Sequence, residues 1–247
     1  MFDTQTLLLC AAALFIGGFT KGVAGLGLPM IAIPLLVLVV PLPTALVLLA
    51  LPGTVSNLVQ AFQRGAFAPV VRRFWPLLVV FIPTIAVGAK LLVTLDPRML
   101  YIALGIAILA ITALTRAVPW LHVGPRLERV LNPVIGGVSG VLGGASMLFG
   151  PPLMIYFLTL RLARDEFIAT VSLLYFIGAL LFTVSLVVVG AFGPTQAVHS
   201  ALALVPVFGG MFAGQLVGRR LDQRGFERVL DLLYVMTALT FFYKALA

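Results

Sequence analysis

A single lysine inside a glycine-rich stretch is the residue of this sequence best suited to chemistry. Lys21 stands in GFTKGVAGLGLP over 18–29, in the middle of an apolar segment. Glycine frees the backbone and proline removes a helical donor, so the stretch predicts a broken helix. The N-terminus of a helix offers unpaired N–H groups and a partial positive charge, which suit an anion. We therefore predict an anion site lined by Lys21, Gly22, Gly25 and Gly27.

The glycine pattern returns in the second half of the chain. Gly18, Gly22 and Gly25 have counterparts 118 residues later, at Gly136, Gly140 and Gly143. Farther along, Gly-Ala-Phe at 65–67 returns at 190–192, and Leu-Asp-x-Arg at 95–98 returns at 221–224. Ordered matches at slowly changing spacing indicate a duplicated unit. Two copies broken at corresponding places are typical of secondary transporters.

The second copy adds four candidate site residues, which are Ser139, Gly143, Gly144 and Ser146. Ser139 occupies the position that Lys21 has in the first copy, so the two half-sites are not expected to be equivalent. In the repeated Leu-Asp-x-Arg, the aspartate is predicted to cap the helix that follows a tight turn.

Asn57 and Gln60 form an unusually polar patch in the second predicted span, next to Thr54 and Ser56. Because they are three residues apart, Asn57 and Gln60 share one face of a helix. They could line a substrate path, or they could join helices by hydrogen bonds, and the sequence favours neither role.

Composition places the chain in a membrane. Hydrophobic residues make up 62% and charged residues 10% of the sequence, and the mean hydropathy is +1.17. A soluble domain carries about a quarter charged residues. Apolar runs long enough to cross a bilayer predict spans at 44–62, 74–95, 98–115, 167–190, 199–219 and 229–246. As straight helices, the segments 5–40 and 131–160 would measure roughly 54 and 45 Å, so each is predicted to break, at 22–29 and at 143–152.

The positions of the arginines predict how these broken segments run. If each were one crossing, loop cations would divide equally between the two faces. If each turns back as a hairpin, twelve cations share one face and only Arg98 and Lys244 lie on the other. The positive-inside rule favours the second arrangement. It predicts an all-α polytopic protein of two inverted repeats, 1–118 and 119–247, each a broken hairpin plus three spanning helices, with both termini outside.

Other classes of chemistry find no support in the sequence. It shows no metal-ligand cluster, no phosphate-binding loop and no Ser/His/Asp arrangement, so neither a cofactor nor a metal nor a nucleic-acid partner is predicted. Its carboxylates are terminal or near loops, which argues against a buried carboxylate proton relay. The one cysteine, Cys10, lies in an apolar run and forms no internal disulfide.

The stretch GFTKGVAGLGLPMIAIPLL, its echo GGVSGVLGGASMLFGPPLM and the helical blocks after them resemble the sulfite exporter TauE/SafE family. This resemblance covers essentially the whole chain. It implies movement of sulfur-containing anions such as sulfite, sulfoacetate and other sulfonates across the bacterial inner membrane. The second copy has Ala145-Ser146-Met147 where further glycines are usual, which implies a different geometry for that half-site.

Together these observations predict a non-enzymatic secondary transporter that exports small sulfur-containing or organic anions by alternating access. Its predicted partners are the anion and the lipid bilayer, with a homodimer also compatible. Lys21 could instead extend its ammonium group to the membrane interface, and the glycines could serve only helix packing. The alternatives at the level of function are a small-anion channel, a membrane enzyme acting on lipid or quinone, and a non-transporting assembly partner.

Overall fold

The computed structural model of the protein describes residues 3–25, 27–64, 67–117, 123–162, 164–218 and 223–246. Within these ranges the secondary structure is entirely helical. The helices, in chain order, are α1 (Thr4–Ala24), α2 (Leu28–Val37), α3 (Leu42–Arg64), α4 (Phe67–Thr94), α5 (Pro97–Ala117), α6 (Pro125–Ser146), α7 (Gly150–Thr159), α8 (Arg164–Val188), α9 (Pro194–Leu202), α10 (Leu204–Gly218) and α11 (Gln223–Leu246).

The helices confirm the predicted all-α membrane architecture. Five stretches in the described residues are long and apolar enough to cross a bilayer, namely Thr4–Val23, Leu42–Phe62, Ala68–Thr94, Ala169–Val188 and Pro194–Val217. Each predicted span falls on a helix or helix pair, but α4 begins seven residues before the predicted 74. Arg72 and Arg73, expected in a loop, are therefore helical. Pro69 does not prevent this, because a proline in the first turn of a helix removes no intrahelical bond.

Much of the surface of these helices is apolar, and several polar side chains lie inside. Leu8, Val205 and Phe212 each expose two thirds or more of their surface. Conversely, Lys21, Asn57 and Asn132 are buried. In water this distribution would be costly, whereas in lipid it satisfies both kinds of side chain.

Both broken segments turn back on themselves, as the arginine positions predicted. The space beside Gly17 of α1 is filled by Leu28 and Ala32 of α2, which places the two helices antiparallel. In the second hairpin the Tyr156 hydroxyl donates to Asn132 Oδ1 at 2.7 Å, and the Val123 N–H donates to the Thr159 carbonyl at 3.3 Å. At ten residues, α2 and α7 each measure about 15 Å, half of a hydrocarbon core.

The chain forms two compact units that each combine parts of both halves. The first unit contains Met1–Gly53, Asp96–Leu109 and Ala191–Ala247, and the second contains Thr54–Leu95 and Ala110–Gly190. The first unit therefore holds the α1–α2 hairpin with α9 and α10, and the second holds the α6–α7 hairpin with α4 and α8.

A proline-associated irregularity occurs at matching places in α4 and in α9–α10. Phe74 has non-helical dihedral angles (φ −102°, ψ 19°) two residues before Pro76. In the second half, α9 ends at Leu202 and α10 begins at Leu204, two residues before Pro206. A proline inside a helix leaves the carbonyl four residues earlier without its donor and displaces the preceding turn. The two prolines thus explain both interruptions.

In each unit the longer arm of the hairpin packs closely and in parallel on this interrupted helix. A Cβ at Gly18 or Gly22 of α1 would collide with the carbonyl groups of Val207 and Met211 of α10. In the second unit Gly136, Gly140 and Gly144 of α6 contact the backbone of α4 in the same way, at Leu77, Phe81 and Ile85. Small residues let helix backbones approach within reach of weak Cα–H···O contacts, which stabilise helix pairs in membranes.

The structure also confirms one predicted helix cap. Asp96 Oδ1 accepts hydrogen bonds from the Arg98 and Met99 N–H groups at 2.9 and 3.4 Å, at the start of α5. The equivalent Asp222 lies outside the described residues. At the start of the chain, Asp3 caps α1 by accepting from the Thr6 N–H at 3.3 Å. Hydrogen bonding to the Thr6 side chain, and secondarily to its N–H, lowers the pKa of the Asp3 carboxyl.

Candidate functional site

The first break lies where the sequence predicted it. α1 ends at Ala24, the Gly25 N–H donates to the Lys21 carbonyl at 2.7 Å, and α2 begins at Leu28. Gly25 and Gly27 have φ angles of 78° and 101°, a left-handed conformation that glycine adopts without a Cβ penalty. Two such residues, two positions apart in the chain, reverse its direction within one short connection.

Lys21 is buried in the last turn of α1, with only 3% of its surface exposed. Its side chain therefore does not extend to an aqueous interface, which was the alternative that the sequence left open. A buried ammonium group is costly unless anionic or polar groups surround it. In the same unit, α2 begins with no side-chain cap and with Pro29 in its first turn, so its N-terminal N–H groups remain available to a ligand.

Gly22 differs from the other glycines of the first break. It faces the Met211 carbonyl of α10, so its missing side chain permits helix packing. Gly25 and Gly27 shape the connection itself. The structure therefore gives the glycines predicted to line the site two separate roles.

The second break lies within the predicted range 143–152, but α6 ends four residues beyond the position that matches the end of α1. Gly143, the counterpart of Gly25, is still helical, and α6 continues to Ser146. The chain turns at Met147, which has a φ angle of 59°, and α7 begins at Gly150. The second hairpin thus has one more helical turn, about 6 Å by helix geometry, beyond the shared glycine contacts.

Three of the predicted residues lie in this additional turn and make local contacts. Gly143 leaves room for the ring of Phe149, and Gly144 leaves room for the Ile85 carbonyl of α4. The Ser146 hydroxyl donates to the Leu142 carbonyl at 2.7 Å and accepts from the Leu148 N–H at 3.4 Å. The two glycines allow packing, and Ser146 caps the end of α6.

Ser139 has a different environment. It is fully buried, and its hydroxyl has no hydrogen-bond partner among the residues that the structure describes. A buried hydroxyl without a partner loses its hydration and gains nothing in return. Such a group is ready to bind a ligand or water molecule.

Replacing Ser139 by alanine is expected to leave the thermal stability of the ligand-free protein unchanged or slightly higher, because no hydrogen bond is lost. Ser200 is the matched control, since its hydroxyl is also buried but accepts from the Leu51 N–H at 3.0 Å and donates to the Leu48 carbonyl at 3.2 Å. Ser200→Ala is expected to cost about 1–3 kcal/mol. Thermal unfolding of the detergent-solubilised protein measures both, and equal losses of stability would contradict the assignment.

Asn57 and Gln60 lie on α3, where Asn57 is buried and Gln60 is partly exposed. One turn away, the hydroxyls of Thr54 and Thr183 are 3.2 Å apart and join α3 to α8. The polar patch therefore includes at least one helix-to-helix hydrogen bond. Both predicted roles of Asn57 and Gln60 are compatible with this geometry.

The predicted site residues fall into the two units as two sets. Lys21, Gly22, Gly25 and Gly27 belong to the first unit, and Asn57, Gln60, Ser139, Gly143, Gly144 and Ser146 belong to the second. Among the residues that the structure describes, no three histidine, cysteine or acidic side chains form a cluster that could hold a metal ion.

Sequence reasoning missed a polar cluster in the second unit. Arg73 of α4 binds Glu128 of α6 and Glu166 of α8. In the same unit, the Tyr156 hydroxyl of α7 donates a hydrogen bond to Asn132 Oδ1 of α6. Only the spacing of Glu128 and Asn132, which places them on one face of α6, hinted at this arrangement.

A largely apolar exterior, several buried polar side chains and two broken hairpins are typical of polytopic membrane transporters. The model of the sulfite exporter TauE/SafE family matches residues 9–241 of the 247. The chain therefore belongs to that family of transporters. No curated protein and no solved structure matches it.

Proposed function

We propose that this protein is a secondary transporter that moves a small sulfur-containing oxyanion, such as sulfite or an organic sulfonate, out of the cell across the bacterial inner membrane. The observation that carries the proposal is Lys21, a cation buried at a break between two helices in a chain of the TauE/SafE family. Keeping this charge inside the membrane is costly, and an anionic ligand offsets that cost.

The chemistry of the first break suits an oxyanion in particular. Sulfite and sulfonates present three oxygen atoms that accept hydrogen bonds. The N-terminus of α2 supplies N–H donors and a partial positive charge, and Gly25 and Gly27 carry no side chain to obstruct an approaching ligand. In this proposal Lys21 neutralises the anion at the first break.

We further propose that the two halves are inverted repeats whose movement gives alternating access. Two features support this. The helix order in each half is a broken hairpin followed by three helices, with α9 and α10 counted as one interrupted helix. The hairpin of each half also packs on the interrupted helix of the other half through the same glycine contacts.

The inverted topology predicts that Pro69 and Pro194, which are equivalent in the two copies, face opposite sides of the membrane. Single cysteines are introduced at these positions in a Cys10→Ser background and labelled in oriented membrane vesicles with an impermeant maleimide. Labelling from opposite sides is expected. Labelling of both positions from the same side would exclude the inverted arrangement.

Transport itself is tested with purified protein in proteoliposomes. Electrogenic current and tracer flux are measured with sulfite, sulfoacetate, other sulfonates, carboxylates and chloride. We expect a response that saturates with concentration for one class of sulfur oxyanion. Flux that rises linearly without saturation or counter-transport would identify a channel, and the absence of both current and flux for every anion would refute the proposed substrate class.

A further inference from the structure

Three ionisable side chains from three helices meet at one end of the second unit. Arg73 of α4 donates from Nε and Nη2 to the two carboxylate oxygens of Glu128 on α6, at 2.9 and 3.1 Å. From Nη1 it donates to Glu166 Oε1 on α8 at 2.7 Å. We call these three residues the Arg73 cluster. One guanidinium group thus joins α4, α6 and α8 near the residues where all three helices begin.

The Arg73 cluster lies beside the kink of α4. Phe74, the residue with non-helical angles, follows Arg73 directly, and the Arg73 guanidinium lies 5.3 Å from its ring. The Phe74 ring is buried and packs edge to face on Phe157 of α7, with the ring centroids 5.2 Å apart. Ion pairs therefore hold the short segment of α4 before the kink. At the kink itself, Phe74 packs against α7 of the hairpin.

The bonds of this cluster are strong and can also be separated. Charge-assisted bonds with a two-pronged guanidinium–carboxylate geometry are the stronger kind of hydrogen bond. The side chains of Arg73, Glu128 and Glu166 are 38%, 14% and 43% exposed, so water can solvate each of them when the bonds open. A fully buried pair would leave an uncompensated charge on opening, which costs far more.

Among its described residues, the first unit has no equivalent of this cluster. Its hairpin packs on α10 in the register in which α6 packs on α4, so the position of Glu128 corresponds to Cys10 and that of Arg73 to Ala203. Neither residue can form an ion pair. The two units share their glycine contacts but not these bonds, which indicates that helix packing alone does not require the Arg73 cluster.

We propose that the Arg73 cluster is a releasable latch that holds α4, α6 and α8 together in one state of the transport cycle and opens in the other. The role in a transport cycle rests on the function proposed above. The latch itself does not, because it concerns only the coupled opening of three helices at the α4 kink. Glu128 and Glu166 share one guanidinium group through different nitrogens, so loss of Arg73 releases both helices at once.

The test measures the exposure of Thr170, one helical turn beyond Glu166 on α8. Thr170 is fully buried, and its hydroxyl has no partner among the described residues, so Thr170→Cys removes no hydrogen bond. In a Cys10→Ser background, its rate of labelling by an impermeant maleimide reports how often this end of the unit opens. The labelling is compared in Arg73→Ala, Glu128→Gln, the double variant and Arg72→Ala, the last altering an exposed neighbouring arginine.

We expect Arg73→Ala to raise the labelling rate by about tenfold, a change in population equivalent to about 1.4 kcal/mol. Glu128→Gln is expected to raise it in the same direction, and the double variant to add little, because residues of one network are not additive. Arg72→Ala is expected to have no effect. Arg73→Lys keeps the positive charge but loses the planar guanidinium that binds a carboxylate through two N–H groups. It is expected to give an intermediate labelling rate.

Native Cys10, in the first unit, controls for general unfolding. In a chain without the Thr170→Cys change, its labelling is expected to be the same with and without Arg73. Unchanged labelling at position 170 in Arg73→Ala, an equal increase in Arg72→Ala, or a parallel increase at Cys10 would each overturn the latch. These readouts need no substrate, so a protein that transports no anion but opens when Arg73 is lost would refute the proposed function and leave the latch standing. If a ligand is added to the labelling assay, it is a sulfonate, because sulfite reacts with maleimide.

Discussion

A Lys21→Met variant is expected to lose at least about tenfold of its saturable anion transport. The change keeps the length and apolar stem of the side chain and removes its charge. A hydrogen bond to a charged group contributes about 1.5–3 kcal/mol, and each 1.4 kcal/mol is about a factor of ten in affinity. Initial rates of labelled sulfite or sulfoacetate flux over a range of concentrations measure the loss. We expect the apparent affinity to fall by a larger factor than the yield of folded protein.

Lys90 provides the matched control for this variant. It is also a lysine inside a long apolar helix, α4, but it is exposed. Lys90→Met is expected to transport as well as the unmodified protein. Lys21→Arg, which retains the charge, is expected to retain part of the activity. If Lys21→Met folds, elutes as a single species and transports normally, the buried lysine has no role in anion binding.

The second large effect is expected at Gly210, where α10 packs closely on α1. A Cβ at this position would collide with the Phe15 carbonyl and lie 2.8 Å from the Phe19 nitrogen, both on α1. Backbone atoms cannot rotate away, so Gly210→Ala must separate α1 from α10. Overpacking of this kind costs about 1–3 kcal/mol, which corresponds to a fall in melting temperature of about 2–12 °C for a chain of this size.

Gly209 allows a stringent comparison because it is the adjacent residue on the same helix. A Cβ there would meet only the ring of Phe15, at 3.9 Å, which is ordinary contact. Gly209→Ala is therefore expected to preserve or raise the melting temperature, since alanine is the better helix former. Thermal unfolding in detergent measures both variants. Equal melting temperatures would mean that the glycine contact does not hold α1 against α10.

The sequence predicted the membrane helices and the breaks for clear physical reasons. Apolar length determines which segments can cross lipid, and glycine next to proline determines where a helix cannot continue. The arginine positions also predicted that both broken segments turn back, because each turn changes the side on which every later cation falls. The hairpins α1–α2 and α6–α7 confirm that prediction.

The exact end of α6 could not be read from the repeat. Gly143 matches Gly25 in sequence, yet the helix passes through Gly143 and ends only at Ser146. Glycine permits a break but does not impose one, and here Gly143 is held in the helix with its open side filled by Phe149. The positive φ angle instead occurs at Met147, a residue type that seldom adopts it.

A sequence signal for the interruptions in α4 and α9–α10 was present but not recognised. Pro76 and Pro206 are 130 residues apart, whereas the repeats beside them were aligned at a spacing of 125. The five additional residues between Pro194 and Pro206 obscured the match. Comparing the packing of the two hairpins shows the correspondence directly, because Leu77 and Val207 contact equivalent glycines.

The Arg73 cluster and the unpartnered Ser139 hydroxyl were beyond sequence reasoning. Glu128 and Glu166 stand close to loops in the sequence, and only the packing of α6 and α8 beside α4 brings them to one guanidinium group. Whether a buried hydroxyl finds a partner depends on its rotamer and on side chains from other helices. Apart from the spacing that places Glu128 and Asn132 on one face of α6, neither property leaves a trace in the sequence.

The glycine contact between α1 and α10 has a consequence for how the chain is made. Gly22 enters the membrane early, but Met211, which it contacts, is synthesised about 190 residues later. At ribosomal speeds of about 5–20 residues per second, α1 waits for roughly ten to forty seconds before its partner helix emerges. During that interval its glycine face borders lipid or the insertion machinery. The first unit can therefore be completed only after α10 has been synthesised, whereas all residues of the second unit are made before α10.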